Sequence, residues 1–388
     1  MKNNIYIART VHGLESVLAT ELQNIGAQNI VPLRRAVQFE GDLKLLYKAN
    51  YLLRTCLNIL SPVATGTIKN EYDLYDLVKS VDWSKHLTLD TTFAIDSTVH
   101  SEAFNHDNYV ALKSKDAIVD QFRERTGVRP SVDARDPDLR IHIHIDREKC
   151  NILLDSTGDF LYKRGYKLKS LDAPVNEVLA AGMLLLAGWD GQSDFVDGMC
   201  GSGTVPIEAA LIATNTPSQS FREHFAFMLW DNYDRNLWLE VKEEAKKEVR
   251  NFDYTIWASD MDIEAVQITN MNAESAGVHD IIKAKCANFE DIQAPNERGG
   301  LLVMNPPYGE RLGEKEEVNT LYSLIGNTFK HKFKGYKCWI ISSNMEALKN
   351  VGLRPDKKIV LFNGALECKF SMYNIYEGSK KASKQLGS

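Results

Sequence analysis

Asp194-Phe195-Val196-Asp197 runs directly into Gly198-Met199-Cys200-Gly201-Ser202-Gly203-Thr204, and on into Val205-Pro206-Ile207-Glu208-Ala209-Ala210. The order is a short apolar strand, a turn of small residues and an apolar helix, the repeating unit of an open α/β sheet. Gly201 and Gly203 can take positive φ and let a ligand approach the backbone. Thr204 reads as the helix N-cap, and Pro206 is tolerable in a first helical turn. A dinucleotide fingerprint would need a third glycine where Pro206 stands, and a phosphate loop would need Gly-Lys-Ser/Thr. What remains suits a nucleoside-like ligand with an amino-acid tail and no phosphates, its ammonium accepted by the Asp197 carboxylate. S-adenosylmethionine has that form. A turn that merely joins strand to helix is the alternative that the glycines alone leave open.

Met304-Asn305-Pro306-Pro307-Tyr308-Gly309-Glu310-Arg311 follows the apolar run Leu301-Leu302-Val303, which has the length of a buried strand. The two prolines stop that strand, since neither can donate to a ladder. The strand end then offers the Asn305 amide, the Pro306 carbonyl and the Tyr308 ring. Two acceptors and an aromatic face can grip a planar heteroaromatic amine. An ordinary Asn-Pro turn is the alternative. Arg311 reads as a structural partner of Glu310 or as a phosphate contact. Cys200 reads as a small apolar filler, because methyl transfer from a sulfonium needs no covalent enzyme intermediate.

The stretch from Asp197 to Thr204 resembles motif I of the class I methyltransferases, and Asn305 to Tyr308 resembles their motif IV. The longer Asn-Pro-Pro-Tyr-Gly-Glu-Arg-Leu is similar to the THUMP-containing rRNA guanine-N2 methyltransferases. Thr10-Val11-His12-Gly13-Leu14-Glu15, Arg164-Gly165-Tyr166 with Ala173-Pro174, and Asn363-Gly364-Ala365-Leu366-Glu367-Cys368 resemble further segments of that family. The resemblance implies a Rossmann-like α/β methyltransferase domain with a mostly parallel seven-stranded sheet, preceded by ferredoxin-like and THUMP α+β modules. It implies catalytic roles for Asn305, Pro306, Pro307 and Tyr308. It implies S-adenosylmethionine contacts from Ala173, Pro174, Asp197, Gly198, Cys200, Gly201, Ser202, Gly203, Thr204 and Asn305. The implied product is N2-methylguanosine in 23S rRNA. Guanine-N2 methylation of tRNA, adenine-N6 methylation, and a non-catalytic RNA-binding assembly factor are the competing readings. Larger relatives add a second methyltransferase domain, for which 388 residues leave no room, so a second modification is not expected.

Hydrophobic residues make up 44% of the chain, a soluble globular composition. With no long apolar run and no signal-like start, neither a membrane partner nor secretion is expected, and the predicted location is the cytoplasm. The six cysteines are scattered without a CxxC pair, so reduced thiols are expected and no metal site. A monomer is expected. The net charge of −6 is unusual for an RNA enzyme. Residues 1–170 carry 23 basic and 22 acidic side chains and residues 171–388 carry 23 and 30, so the front half is the relatively basic one. Clusters there, such as Arg34-Arg35, Arg123/Arg125/Arg129 and Lys163-Arg164, could meet RNA phosphates or be solvated surface.

Strand-helix alternation suggests a ferredoxin-like module over residues 1–60, the resemblance implies a THUMP unit over 61–163 and the methyltransferase domain over 164–377, and the polar tail 378–388 is expected to be disordered. A strand at 5–8 precedes a helix carrying Leu14, Val17, Leu18, Leu22 and Ile25, stopped by Gly26. Strand 37–39 and helix 42–53 continue the module. A helix at 72–81, strand 93–99 and helix 110–125 follow. Ile141, Ile143 and Ile145 alternate with His142 and His144 and lead into a hairpin at 152–154. The two histidines therefore read as a strand's solvent face, not as a metal pair. A linker is expected at 164–172. Strand-helix alternation resumes from Ala173, interrupted by an insertion at 215–252 whose Phe225, Phe227, Trp230 and Trp238 read as packing before base stacking. Strand 255–258 delivers Asp260, placed where ribose hydroxyls are held in such sheets, and Met261, set to pack on adenine. Asn288, after a strand at 282–284, can accept from the adenine amine. A strand at 336–342 and a hairpin of 359–363 with 370–375 complete the sheet.

Overall fold

The computed structural model describes residues 4–104, 106–171, 175–309 and 315–376. The described residues divide into two compact units, and neither is continuous in sequence. One takes those within Met1–Thr10, Ala19–Leu161 and Arg222–Glu243, and the other those within Val11–Leu18, Tyr162–Phe221 and Glu244–Ser388.

The first unit contains β1 (Asn4–Arg9), most of α1 (Glu15–Asn24), β2 (Gln28–Leu33), β3 (Ala36–Gly41) and α2 (Leu43–Leu52). It continues with β4 (Asn58–Thr67), α3 (Glu71–Lys79), β5 (Thr92–His100), α4 (Asp107–Thr126), β6 (Ser131–Val132), β7 (Leu139–Asp146) and β8 (Lys149–Asp155). All eight strands join one sheet, in the order β2-β3-β1-β4-β8-β7-β5-β6. Helix starts are set by local chemistry. The Asp42 carboxylate accepts from the Leu45 N–H at 2.9 Å, and the Asn70 amide oxygen caps the start of α3. Ile141, Ile143 and Ile145 of β7 are fully buried with Ile152 and Leu154 of β8 against Leu74 and Val78 of α3 and Ala117 and Ile118 of α4. The period-two reading of that hairpin is therefore correct. Its corollary is not: His142 is only 9% exposed, because the 158–160 turn folds over its face of the sheet.

Residues 222–243, which the sequence boundaries place inside the methyltransferase domain, belong to this first unit. Their aromatics pack on α2. The Phe227 ring stacks on Tyr47 at 4.5 Å between centroids, and Trp238 lies edge-on to Tyr47 and Tyr51 at 6.0 and 5.3 Å. The cluster is packing, as the sequence favours.

The second unit contains α5 (Glu177–Leu186), β9 (Phe195–Asp197), α6 (Thr204–Ala213), the end of α7 (Arg235–Lys247), β10 (Ile256–Asp260), α8 (Ile263–Ser275) and β11 (Ile282–Cys286). β12 (Leu301–Met304), α9 (Lys315–Lys332), β13 (Lys337–Ser342), α10 (Met345–Asn350), β14 (Lys357–Asn363) and β15 (Leu366–Asn374) complete it. Its seven strands lie in the order β11-β10-β9-β12-β13-β15-β14. Pairing is parallel from β11 to β13, and β15 inserts antiparallel between β13 and β14. All four residues of β12 are buried, as a strand covered on both faces requires. The chain leaves β9 toward β10 and β11 on one side and returns to β12 on the other. That reversal makes a switch point, and in open α/β sheets ligands bind beyond the carboxyl ends of the strands there.

Candidate active site

The glycine turn sits at the carboxyl end of β9 with the conformation its residues require. Gly201 has φ +52° and Gly203 φ +83°. The positive φ at Gly201 disfavours other residues, and a Cβ added there would meet nothing within 4 Å, so the turn is open to a ligand. At Gly198 a Cβ would come within 2.2 Å of the Phe289 ring, so this glycine serves close packing. Thr204 is not the cap that the sequence predicts. Gly203 occupies the N-cap position, Thr204 is the first helical residue, and its buried hydroxyl has no hydrogen-bond partner among the described residues. Pro206 lies in the first turn of α6, as expected.

Three contacts from neighbouring elements hold the turn. The Asp260 carboxylate, at the end of β10, accepts from the Gly201 N–H at 2.9 Å and from the Asp262 N–H at 3.1 Å. The Thr269 hydroxyl on α8 donates to the Gly201 carbonyl at 2.9 Å. One turn on, the Asn272 side-chain amide donates to the carbonyls of Ser202 and Lys169, both at 2.9 Å, while its oxygen accepts from the N–H groups of Leu168 and Lys169 at 2.9 and 3.3 Å. The expected linker is thus stitched to the turn. It is anchored deeper by Arg164 and Tyr166, both buried with Glu208 of α6, the phenol donating to that carboxylate at 3.2 Å. The sequence alone does not single out Thr269 and Asn272. Their signal is the i, i+3 spacing of two small polar residues on the helix face that also carries Val266 and Ala273.

Asp197 is 2% exposed and among the described residues accepts one hydrogen bond, from the Met199 N–H at 3.1 Å, and meets no cation. Burial pushes its carboxyl up to about 8, and the neighbouring Asp260 charge adds to the rise. A buried acid lacking a cation, beside an open turn, fits a ligand that brings an ammonium. The Cys200 thiol is buried and its pKa is also raised by burial, which suits a filler and not a nucleophile. Met261 is 75% exposed, an apolar surface free to cover a ring. Asn288 lies exposed just past β11, its amide donating to Asp291 at 3.2 Å. Ala173 and Pro174 lie outside the described residues, as do Glu310 and Arg311.

At the end of β12, next to β9 in the sheet, Asn305 is half-buried and its Oδ1 accepts from the Tyr308 hydroxyl at 2.7 Å. That contact fixes which way the amide faces and leaves the oxygen a second lone pair. The Pro306 carbonyl accepts no hydrogen bond among the described residues, and Pro307 is exposed. Tyr308 is held by its phenol oxygen, which lies beside the Asn363 side chain and the Cys368 thiol of the β14–β15 hairpin. Burial raises its pKa far enough to keep the hydroxyl proton in place as a donor. The Asn344 side chain donates to the Tyr308 carbonyl at 2.9 Å and caps α10 by accepting from the Ala347 N–H at 2.9 Å. Asn344 carries a local signal, since an asparagine just past a buried strand and three residues before Ala347 marks a cap at the site's edge.

This sheet order, with a glycine turn after the first strand, an acid after the second and Asn-Pro-Pro-Tyr after the fourth, defines a class I S-adenosylmethionine-dependent methyltransferase. Residues 164–372 match the family described as RMKL-like methyltransferase domain, residues 69–155 the THUMP domain and residues 6–60 the RlmL ferredoxin-like domain. The chain belongs to the RMKL-like methyltransferase family. It is 37% identical over 372 residues to a Synechocystis protein named "Putative RNA methyltransferase slr0064", covering 96% of this chain and 97% of that one. It is also 37% identical to the ribosomal RNA large subunit methyltransferase K/L of Syntrophotalea carbinolica, over 96% of this chain and 54% of the relative, about half its length. A solved structure named "Crystal structure of SMU.472, a putative methyltransferase complexed with SAH" superposes with a TM-score of 0.86 at 29% identity, covering 98% of this chain and all of that one.

Proposed function

We propose that this enzyme transfers a methyl group from S-adenosylmethionine to the exocyclic N2 of a guanine in 23S rRNA. The observation that carries the reading is the pair of acceptors at the end of β12. The Asn305 oxygen, its direction fixed by Tyr308, and the unengaged Pro306 carbonyl stand beside the strand that bears the glycine turn.

Bound S-adenosylmethionine supplies an electrophilic methyl group. Asp197 holds the ammonium, Gly201 and Gly203 let the tail lie against the backbone, Asp260 takes the ribose hydroxyls, Met261 covers the adenine, and Asn288 meets its amine. The guanine amine is a weak nucleophile because its lone pair is delocalised into the ring. Acceptance of its two N–H bonds by Asn305 and Pro306 turns that lone pair toward the methyl group, and the half-exposed Tyr308 ring covers the extruded base. No strong base is required. Catalysis is mainly alignment, with the product proton released to solvent afterwards.

The large-subunit RNA assignment rests on the THUMP and ferredoxin-like matches and on the name of the K/L relatives. Nucleoside mass spectrometry of separated rRNA and tRNA from a deletion strain tests it. Loss of N2-methylguanosine from 23S rRNA is expected, and loss from tRNA alone would overturn the RNA assignment.

A further inference from the structure

A cavity of about 180 Å³ lies in the first unit, on the sheet face opposite the α3–α4 core. The strand register builds its floor. Arg9 faces Asn58 across β1 and β4, Leu60 faces Asp155 across β4 and β8, and His142 faces Asp96 across β7 and β5. Side chains opposite one another in a sheet share a face, so these residues converge while Ile141 and Ile143 point away into the core. The 158–160 turn forms the rim. Gly158 takes φ +83° there, and Arg222 pins the turn by donating to the Asp159 carbonyl at 2.6 Å. The Phe160 ring stands at that rim, 41% exposed.

The lining is chemically mixed. Arg140 is tied to Asp96 at 2.9 Å, whereas the Arg9 guanidinium has no hydrogen bond or ion pair among the described residues. The Asn58 amide donates to Asp155 at 2.5 Å, and its own oxygen is buried without a partner among the described residues. His142 bonds Thr98 at 3.3 Å, and burial with the nearby Arg9 charge keeps its ring neutral. A bare phosphate would be met by a uniformly basic cavity. A free cation, an acceptor and an exposed aromatic ring around one cavity instead match a nucleotide, because RNA bases splayed from single strands stack on aromatic side chains and are read at their edges.

We propose that this cavity binds one nucleotide of single-stranded RNA, with its base stacked on Phe160 and facing Asn58 and its phosphate paired with Arg9. The choice of RNA rests on the methyltransferase reading above, while the geometry is that of the first unit alone.

The test uses the full-length protein and 5′-fluorescein-labelled RNA decamers, single-stranded and duplex, followed by fluorescence anisotropy. Phe160→Ala should weaken single-strand binding about five-fold or more, and Phe160→Tyr should retain it. Arg9→Gln should weaken binding and lower the salt slope by about one counterion. S-adenosylmethionine affinity and melting temperature should stay at the wild-type values in all three, which excludes misfolding. Wild-type affinity in both Phe160→Ala and Arg9→Gln would overturn the proposal, as would competition by millimolar inorganic phosphate as effective as that by unlabelled decamer. Methyl transfer to RNA is assayed separately. A chain that methylates RNA while both variants bind normally defeats the cavity proposal alone. A chain that transfers no methyl group but loses decamer binding in both variants defeats the functional reading alone.

Discussion

Replacing Asn344 by aspartate separates two tasks that one side chain performs. Its oxygen caps α10 through the Ala347 N–H, and its nitrogen holds the Tyr308 carbonyl, each at 2.9 Å. Aspartate is as good an N-cap as asparagine, so the first task survives. The second is reversed, because a carboxylate oxygen then faces a carbonyl oxygen. The lost hydrogen bond is worth about 0.5–1.5 kcal/mol, and the unpaired acceptors add to that. The strain falls on the segment that aims Asn305. Misplacement of a reacting group by about 1 Å can cost roughly a hundred-fold in rate, so kcat for Asn344→Asp should fall ten- to a hundred-fold. The S-adenosylmethionine Kd should stay within about two-fold, because the glycine turn is held by Asp260, Thr269 and Asn272 instead. Asn344→Ala loses the cap as well, about 1 kcal/mol, and should melt some 2–4 °C lower. Single-turnover transfer from tritiated cofactor, calorimetry and thermal melts read the three quantities. Wild-type turnover in Asn344→Asp, or a loss of cofactor affinity as large as the loss of rate, would refute the reasoning.

Asp197→Asn should weaken cofactor binding yet raise the melting temperature of the free protein at pH 8. The folded-state pKa of about 8 lies above the unfolded value, so the folded form holds its proton longer and stability declines as pH rises through that window. The gain from asparagine should vanish near pH 3.5, and a variant no more stable at pH 8 would contradict it. In the wild type, cofactor affinity should increase from pH 6 to 8 as that proton is more easily displaced, by up to about ten-fold per unit; a flat calorimetric profile would count against an ammonium on Asp197. Tyr308→Phe keeps the ring but frees the Asn305 amide, so kcat should drop about ten-fold with the RNA KM little changed, and equal kcat in steady-state assays would remove the positioning role. Gly326→Ala places a Cβ 1.7 Å from the Val351 carbonyl oxygen, and a melt unchanged from wild type would show that α9 and α10 part more easily than their packing indicates.

Local chemistry made much of the fold legible. The β9 turn and β12 with its prolines announce themselves within a dozen residues, and α1 and α4 run into Gly26 and Gly127, both at positive φ. β2 and β4 escaped for a physical reason. β2 is a mostly exposed edge strand containing Pro32, and β4 carries Pro62 at a register shift, so neither shows clean alternation. Asn272 and Asn344 reach carbonyls 70 and 36 residues away, and no periodicity encodes such pairings. The burial of His142 depends likewise on a turn that covers its strand from elsewhere. The candidate site was therefore readable as a set of residues, while the contacts that aim them became visible only in the fold.

The insertion of β15 between β13 and β14 has a consequence for synthesis. β13 cannot complete its pairing until a strand made later threads in beside it, and Asn363 and Cys368 reach Tyr308 only with that hairpin. During translation the glycine turn and its supporting helix emerge well before the grip on the target base is assembled. On the proposed site assignments a nascent chain can therefore acquire its cofactor pocket first and its transfer competence last, once the final strands have left the exit tunnel.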